Sequence, residues 1–328
     1  VTRDLTALPK AHLHVHLEAT WRPRTLASVA EGHGLPTPRM TGWADFAEFD
    51  RMYQAAAGVL RTADDVARLV GEMAEDAAAA GCRWVEPAVW LPLHRDRLGP
   101  PDAVLELLTD AARAATERTG VGIGFLVAAD RVRPVEEAVE QARVAARWAG
   151  RGVVAFGLHN QELGFPPEPF AEAFRIAREA GLLSAPHGGE LAGPEWVAGS
   201  LDALGADRVQ HGIRAIEDPA LVERLVERGT VLDVCPTSNL VLDIVPSLEE
   251  HPLPRLLEAG VTCSLNGDDP IMFDCDLASE YELARSGLGL ADEQLAALAA
   301  GSIRGSGAPQ ELKDAALADV AAWLAAAP

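Results

Sequence analysis

EDPALVERLVERGTVLDV, residues 217–234, holds one repeating unit of this chain in full: a charged, leucine-bearing helix (217–228), a glycine at 229, and a short β-branched strand (230–234). A glycine just past a helix accepts the left-handed conformation that ends it, and the chain then runs straight into a strand. Gly81, Gly181 and Gly260 stand at the same point of other units. Outward from this unit, segments at 10–17, 82–90, 121–128, 152–158, 182–187, 207–211, 230–234 and 261–266 read as strands. Helical patterns at 101–118, 134–149, 167–180, 194–204, 217–228 and 249–259 separate them. Such units imply parallel strands joined by right-handed crossovers. Eight of them predict an α/β fold, the (β/α)8 barrel. A doubly wound sheet would carry a glycine-rich turn after its first strand; this chain has LEATWRP at 17–23 instead. Residues 22–80 read as a helical insertion after strand one, and helices at 274–286, 291–303 and 308–326 follow strand eight. Residues 1–328 are expected to form a single domain.

Composition narrows the function. Hydrophobic residues make up 48% of the chain, enough for a sizeable core, and the mean hydropathy is +0.05. Asp and Glu number 49 against 28 Lys and Arg, a net charge of −21 with no basic run. That argues against a nucleic-acid partner, which needs a basic face. No apolar run reaches the length of about 18 residues that spans a bilayer, so no membrane partner is expected. VTRDLTALPK (1–10) lacks the apolar core of a signal peptide. Cys82, Cys235, Cys263 and Cys275 form no CxxC pair and are expected to be inert. The cytoplasm is the expected location.

Chemistry in such a barrel sits at the C-terminal ends of its strands, and the polar residues fall there. Strand one, KAHLHVHL (10–17), ends in His14, His16 and Glu18. Strand five ends in His187-Gly188-Gly189-Glu190, strand six in Gln210-His211-Gly212, and strand eight in Asn266-Gly267-Asp268-Asp269-Pro270. His14 and His16 share a strand face. With His187 and Asp268 they make three imidazoles and a carboxylate, a set suited to a zinc-like ion that keeps an open position for water. Bound water there is acidified toward a pKa of about 7. Strand four, GVVAFGLHN, has no lysine to bridge two ions, which favours one Zn2+ per chain. Glu190, three residues past His187, is placed to act as general acid. His211 could take a proton from the water or orient it, and Asp269 would face the substrate.

These motifs resemble the adenosine deaminase family. The resemblance runs through PKAHLHVHLE, HGGE (187–190), QHG (210–212), CPTSN (235–239) and SLNGDDP (264–270), most of the chain. It implies a zinc-dependent hydrolytic deaminase of a 6-aminopurine, with His14, His16, His187 and Asp268 as ligands. Glu190 would protonate ring N1, His211 would assist attack of zinc-bound hydroxide on C6 with release of ammonia, and Asp269 would bond N7. The substrate-binding positions implied are Glu18, Gly157, His159, Asn160 and Asp269, and the partners a small molecule and water.

Departures gather around the expected substrate. Ala19 replaces the family glycine after the strand-one acid. Gly157-Leu158-His159-Asn160-Gln161-Glu162 stands for Asp-Leu-Ala-Gly-Asp-Glu, and Val85-Glu86-Pro87-Ala88 lacks the family arginine. A side chain at 160, where glycine allows close backbone approach, points to a substrate other than plain adenosine: a free base, or an N6- or 5′-modified nucleoside. A silent binding protein on the same scaffold is the other class of reading; its mark would be loss of Glu190, His211 or a ligand, and none is lost. His159 is open between substrate contact and support. His12 is expected to point away from His14 and bond behind the site. His33, His94 and His251 are expected on the surface, and Trp21, Trp43 and Trp90 in core packing.

Overall fold

A computed structural model describes residues 2–326. Ten short strands form eight parallel staves: β1 (Lys10–His16), β2 (Cys82–Val89), β3 and β4 (Gly122–Ile123, Phe125–Asp130), β5 (Val153–His159), β6 and β7 (Leu183–Ser184, His187–Gly188), β8 (Arg208–His211), β9 (Val231–Val234) and β10 (Cys263–Leu265). One ladder runs β1-β2-β4-β5-β6 with β3 on β2, and a second runs β10-β9-β8-β7. The stave holding β6 and β7 joins the ladders on one side, since its first half pairs with β5 and its second with β8. On the other side the ring closes through a single bridge between Val15 and Asp268. There His16 N donates to Asp268 O (2.9 Å) and Asp268 N to His14 O (3.0 Å). Below it the Asn266 side chain replaces the ladder, its Oδ1 accepting from Leu13 N (2.7 Å) and His14 N (3.0 Å). This seam sets the two histidines of β1 beside Asp268.

Every expected helix is present, with shifted ends. The quoted unit forms a helix at Pro219–Arg228, capped by Gly229 at φ 67°, before β9. The 22–80 insertion divides in two. Helix α2 (Phe46–Ala57) lies at the barrel mouth and α1 (Pro23–Gly32) bonds to α3 (Ala63–Ala79) through Thr25 Oγ1 and Glu72 Oε1 at 3.0 Å, whereas α3 packs on β2 and on the helix Pro101–Thr119 as part of the outer ring. A capping box between Thr62 and Asp65 starts α3, and His33 Nε2 reaches Asp65 Oδ2 at 2.8 Å. His33 is therefore half-buried and bonded, not free on the surface. Among the described residues no helix is long and apolar enough to cross a membrane.

Two sequence departures lie in the barrel interior, outside the lining of the mouth cleft. Ala88 packs with Leu126, Ala128, Ala155 and Ala185 in a small apolar cluster. A Cβ on Gly157 would lie 2.6 Å from Leu126 Cδ2, so the residue is spoken for by packing. Neither lines the mouth cleft. Ala19 is likewise fully buried outside it. The charge inside the barrel sits lower. Arg208 Nη1 pairs with Glu86 Oε2 at 2.7 Å and its Nε with Asp233 Oδ2 at 3.1 Å, all three fully buried. Glu86 also accepts from Trp84 Nε1 at 2.7 Å. Removing one partner leaves a buried charge exposed to low dielectric. Glu86→Ala is expected to cost about 3–5 kcal/mol, read as a lower urea midpoint; a midpoint within error of wild type would show that Asp233 alone satisfies Arg208.

Candidate metal centre and cleft

The mouth cleft is lined by α2 (Phe46, Phe49, Asp50, Tyr53), by Leu242, and by strand ends bearing His16, His159, Asn160, His187, Glu190, His211, Asp268 and Asp269. Three of these strand-end residues, Asn160, His211 and Asp268, have φ of 78°, 62° and 56°. Non-glycine residues held in the left-handed region cost energy and cluster where function demands them. Here the kinks turn side chains from the staves into the cleft.

Donor atoms of His14, His187, His211 and Asp268 lie within 4.8 Å of one another, and those of His16, Asp268 and Asp269 form a second such group. Asp268 joins them: its Oδ1 is 3.2 Å from His14 Nε2 and 3.3 Å from His16 Nε2. Its Oδ2 accepts from Ser238 Oγ at 2.7 Å. Hydrogen bonds on the far side of the rings say which nitrogens are free. His14 Nδ1 faces Asp233 O at 3.2 Å, and His187 Nδ1 faces Leu158 O at 3.1 Å. A carbonyl only accepts, so both Nδ1 atoms carry hydrogen and both Nε2 atoms present lone pairs. Those lone pairs face each other at 3.1 Å, an arrangement that a cation between them relieves. The residues fit a divalent metal.

Electrostatics agree. Burial, and then the neighbouring His14 and His211, holds His187 well below the usual imidazole range, hence neutral. Burial opposes ionisation of Asp268, but His14, His16 and His211 hold its carboxyl well below the carboxylate range. Burial favours the neutral ring of His16 too, yet Asp269, Asp268 and Glu18 together raise it to about 9. A bound cation takes over the place of that proton.

Glu190 lies beside this cluster, its Oε2 3.5 Å from His211 Nε2. Burial, then the charges of Asp268, Glu162 and Asp269, pushes its carboxyl well above the usual value, which favours the protonated form an acid needs. The turn that delivers it needs Gly189 at φ 70°, where a Cβ would meet Val197 at 2.4 Å. Glu162 clamps the turn by accepting from Glu190 N (3.2 Å) and Ala192 N (2.6 Å).

Of the substrate positions expected from sequence, His159, Asn160 and Asp269 line the cleft. Asn160 Oδ1 accepts from Gln161 N at 2.7 Å, and Asp269 Oδ1 is buried without a partner. Glu18 is fully buried and outside the cleft lining, bonded by the Tyr53 hydroxyl and by His94. His94 and His251, expected on the surface, are both buried; His94 Nε2 meets Glu18, and both ring nitrogens of His251 are bonded, contacts that sequence spacing does not reveal. His12 bonds behind the site, accepting from Gly267 N at 3.0 Å, because the register of β1 is irregular between His12 and Val15. Trp21 packs in the core, whereas Trp43 joins Phe49 and Phe273 in the aromatic cluster under α2. Ser238 and Asn239, which touch Asp268 and His211, were marked only by the CPTSN motif.

Imidazole and carboxylate donors converging at the C-terminal mouth of a (β/α)8 barrel, with a carboxyl of raised pKa beside them, fit a metal-dependent hydrolase. The adenosine deaminase family profile matches residues 9–323. A putative adenosine/adenine deaminase of Streptomyces coelicolor is 44% identical over 99% of each chain. The crystal structure of an adenine deaminase from Arthrobacter aurescens superposes with a TM-score of 0.89 at 31% identity, covering 97% of this chain and 99% of that one. A zinc-bound amidohydrolase from Burkholderia ambifaria gives 0.87 at 28% identity, covering 97% and 91%. The chain belongs to the adenosine deaminase family, and it is a metal-dependent hydrolytic deaminase.

Proposed function

We propose that this enzyme is a zinc-dependent deaminase of an uncharged 6-aminopurine, a free base or a nucleoside, held by His14, His16, His187 and Asp268 around one ion. The observation that carries the reading is the pair of facing Nε2 atoms of His14 and His187, 3.1 Å apart, with the buried Glu190 beside the cluster at 3.5 Å from His211 Nε2. When bound, the ion supplies the Lewis acidity that makes a water nucleophilic near neutral pH. Glu190 donates its proton to ring N1, which makes C6 electrophilic. His211 orients the attacking oxygen, and Asp269, with an orphan Oδ1, bonds N7. Water adds at C6, the C6–amino bond breaks and ammonia leaves. Phe46, Phe49, Tyr53 and Leu242 offer apolar walls to a flat ring.

Among the described residues no Lys or Arg lines the cleft, while Asp50, Glu190, Asp268 and Asp269 do. The buried guanidinium of Arg131 spends its donors on the carbonyls of His159, Phe165, Leu158 and His187. That supports an uncharged substrate over a nucleotide. The test is release of ammonia, or of methylamine from the N6-methyl substrate, by zinc-loaded protein offered adenine, adenosine, N6-methyladenosine and AMP. Turnover of an uncharged member is expected; silence on all four would overturn the reading.

Asn160 adds a side chain where the family has glycine. Asn160→Gly is expected to raise the kcat/KM ratio of adenosine to adenine by roughly tenfold, the scale at which one pocket group discriminates. An unchanged ratio would show the exchange to be neutral toward substrate.

A further inference from the structure

A chain of buried hydrogen bonds runs from the barrel wall to His211. Leu253 N donates to His251 Nδ1 at 3.1 Å. A backbone N–H only donates, so His251 Nδ1 is a lone pair and its hydrogen sits on Nε2. That Nε2 lies 3.3 Å from Asn239 Oδ1, which accepts it. The orientation of the Asn239 amide follows, and its Nδ2 then donates to His211 Nδ1, also at 3.3 Å. With Nδ1 accepting, the hydrogen of a neutral His211 must be on Nε2, the nitrogen that faces Glu190 Oε2 at 3.5 Å and Asp268 Oδ2 at 3.9 Å. His251, Asn239 and His211 are each at most 3% exposed, so water does not scramble the sequence of donors.

We propose that His251 is a positioning residue which, through Asn239, sets the tautomer of His211. The consequence separates three histidines of the cluster. His14 and His187 carry their hydrogen on Nδ1 and offer Nε2 to a metal. His211 carries its hydrogen on Nε2, so it stands outside the ligand set and donates toward the reacting oxygen. The proposal rests on the deaminase reading for that last role, but the tautomer does not.

The test uses zinc-loaded protein with 15N-labelled histidine. Long-range proton–nitrogen correlation distinguishes the two tautomers, and wild-type His211 is expected to show hydrogen on Nε2 alone. Asn239→Asp puts an acceptor against His211 Nδ1, so a hydrogen is expected to move onto Nδ1. The variant should then lose about a thousandfold or more in kcat, the scale of a wrongly held catalytic imidazole, with KM within about threefold and zinc still stoichiometric. His251→Gln keeps a donor toward Asn239 and an acceptor toward Leu253 N, and should retain the Nε2–H signature; His251→Phe should lose it. A wild-type spectrum with hydrogen on Nδ1 overturns the proposal without any variant. So does an Asn239→Asp protein with the wild-type signature and wild-type kcat. If no aminopurine releases ammonia, the deaminase reading fails while the wild-type tautomer still decides this one.

Discussion

Asp268→Ala should leave the protein with less than about a tenth of an equivalent of zinc and with turnover lowered by roughly four orders of magnitude, equal to about 5 kcal/mol of lost transition-state stabilisation. Asp268 is the one residue common to both donor groups in the cleft. Its Oδ1 faces His14 and His16, and it is the only carboxylate held ionised against burial by three imidazoles. Without it the cluster is left with neutral nitrogen donors and no charge to offset a dication. The backbone at 268 is left-handed, φ 56°, and alanine there adds a strain of about 1–2 kcal/mol. Asp268→Asn separates the two effects, because asparagine tolerates that conformation while removing the charge. Both variants should lose zinc by elemental analysis; retention of one equivalent in either would contradict the ligand assignment.

Glu190→Gln should do the opposite to the metal and the same to the reaction. The amide keeps the shape of a protonated carboxyl, so zinc is expected at one equivalent and the melting temperature close to wild type. It cannot give up a proton, and a general acid contributes about 10²–10⁴-fold. A loss of roughly a thousandfold in kcat, with KM little changed, is the expected result. Activity within tenfold of wild type would remove Glu190 from the acid role. Because burial and three neighbouring carboxylates raise the wild-type carboxyl, Glu190 is protonated below its raised pKa and lost as an acid above it. The wild-type rate should therefore fall on the alkaline side, and that limb should disappear in the residual activity of the variant.

Several errors of sequence reading share a cause. Ala19, Ala88 and Gly157 were assigned to the substrate because they interrupt family motifs near strand ends. In the folded protein Ala19 is buried in the turn after β1, and Ala88 and Gly157 pack on Leu126 and its neighbours inside the barrel. A position along a motif does not say which side of a stave a residue faces once the strand is bent. His94 and His251 were assigned to the surface from their loop context, yet both are buried. The partners that make this affordable, Glu18 for one and Asn239 for the other, are distant in sequence from the first and unmarked near the second.

The repeating order of elements was legible in sequence alone. Helix, glycine and strand are local choices, made by backbone conformation and side-chain period within a dozen residues, and units such as 217–234 carry them whole. So was the roll of polar residues at the strand ends, because a parallel barrel brings all eight ends to one mouth. What only the tertiary structure decided is how those residues divide their work. Whether an imidazole offers a lone pair or a hydrogen depends on what lies behind it: Asp233 O for His14, Leu158 O for His187, and Asn239 for His211. Those partners come from two other staves and from the short helix after the seventh, and hydrogen bonding across a closed barrel has no period that a sequence can display.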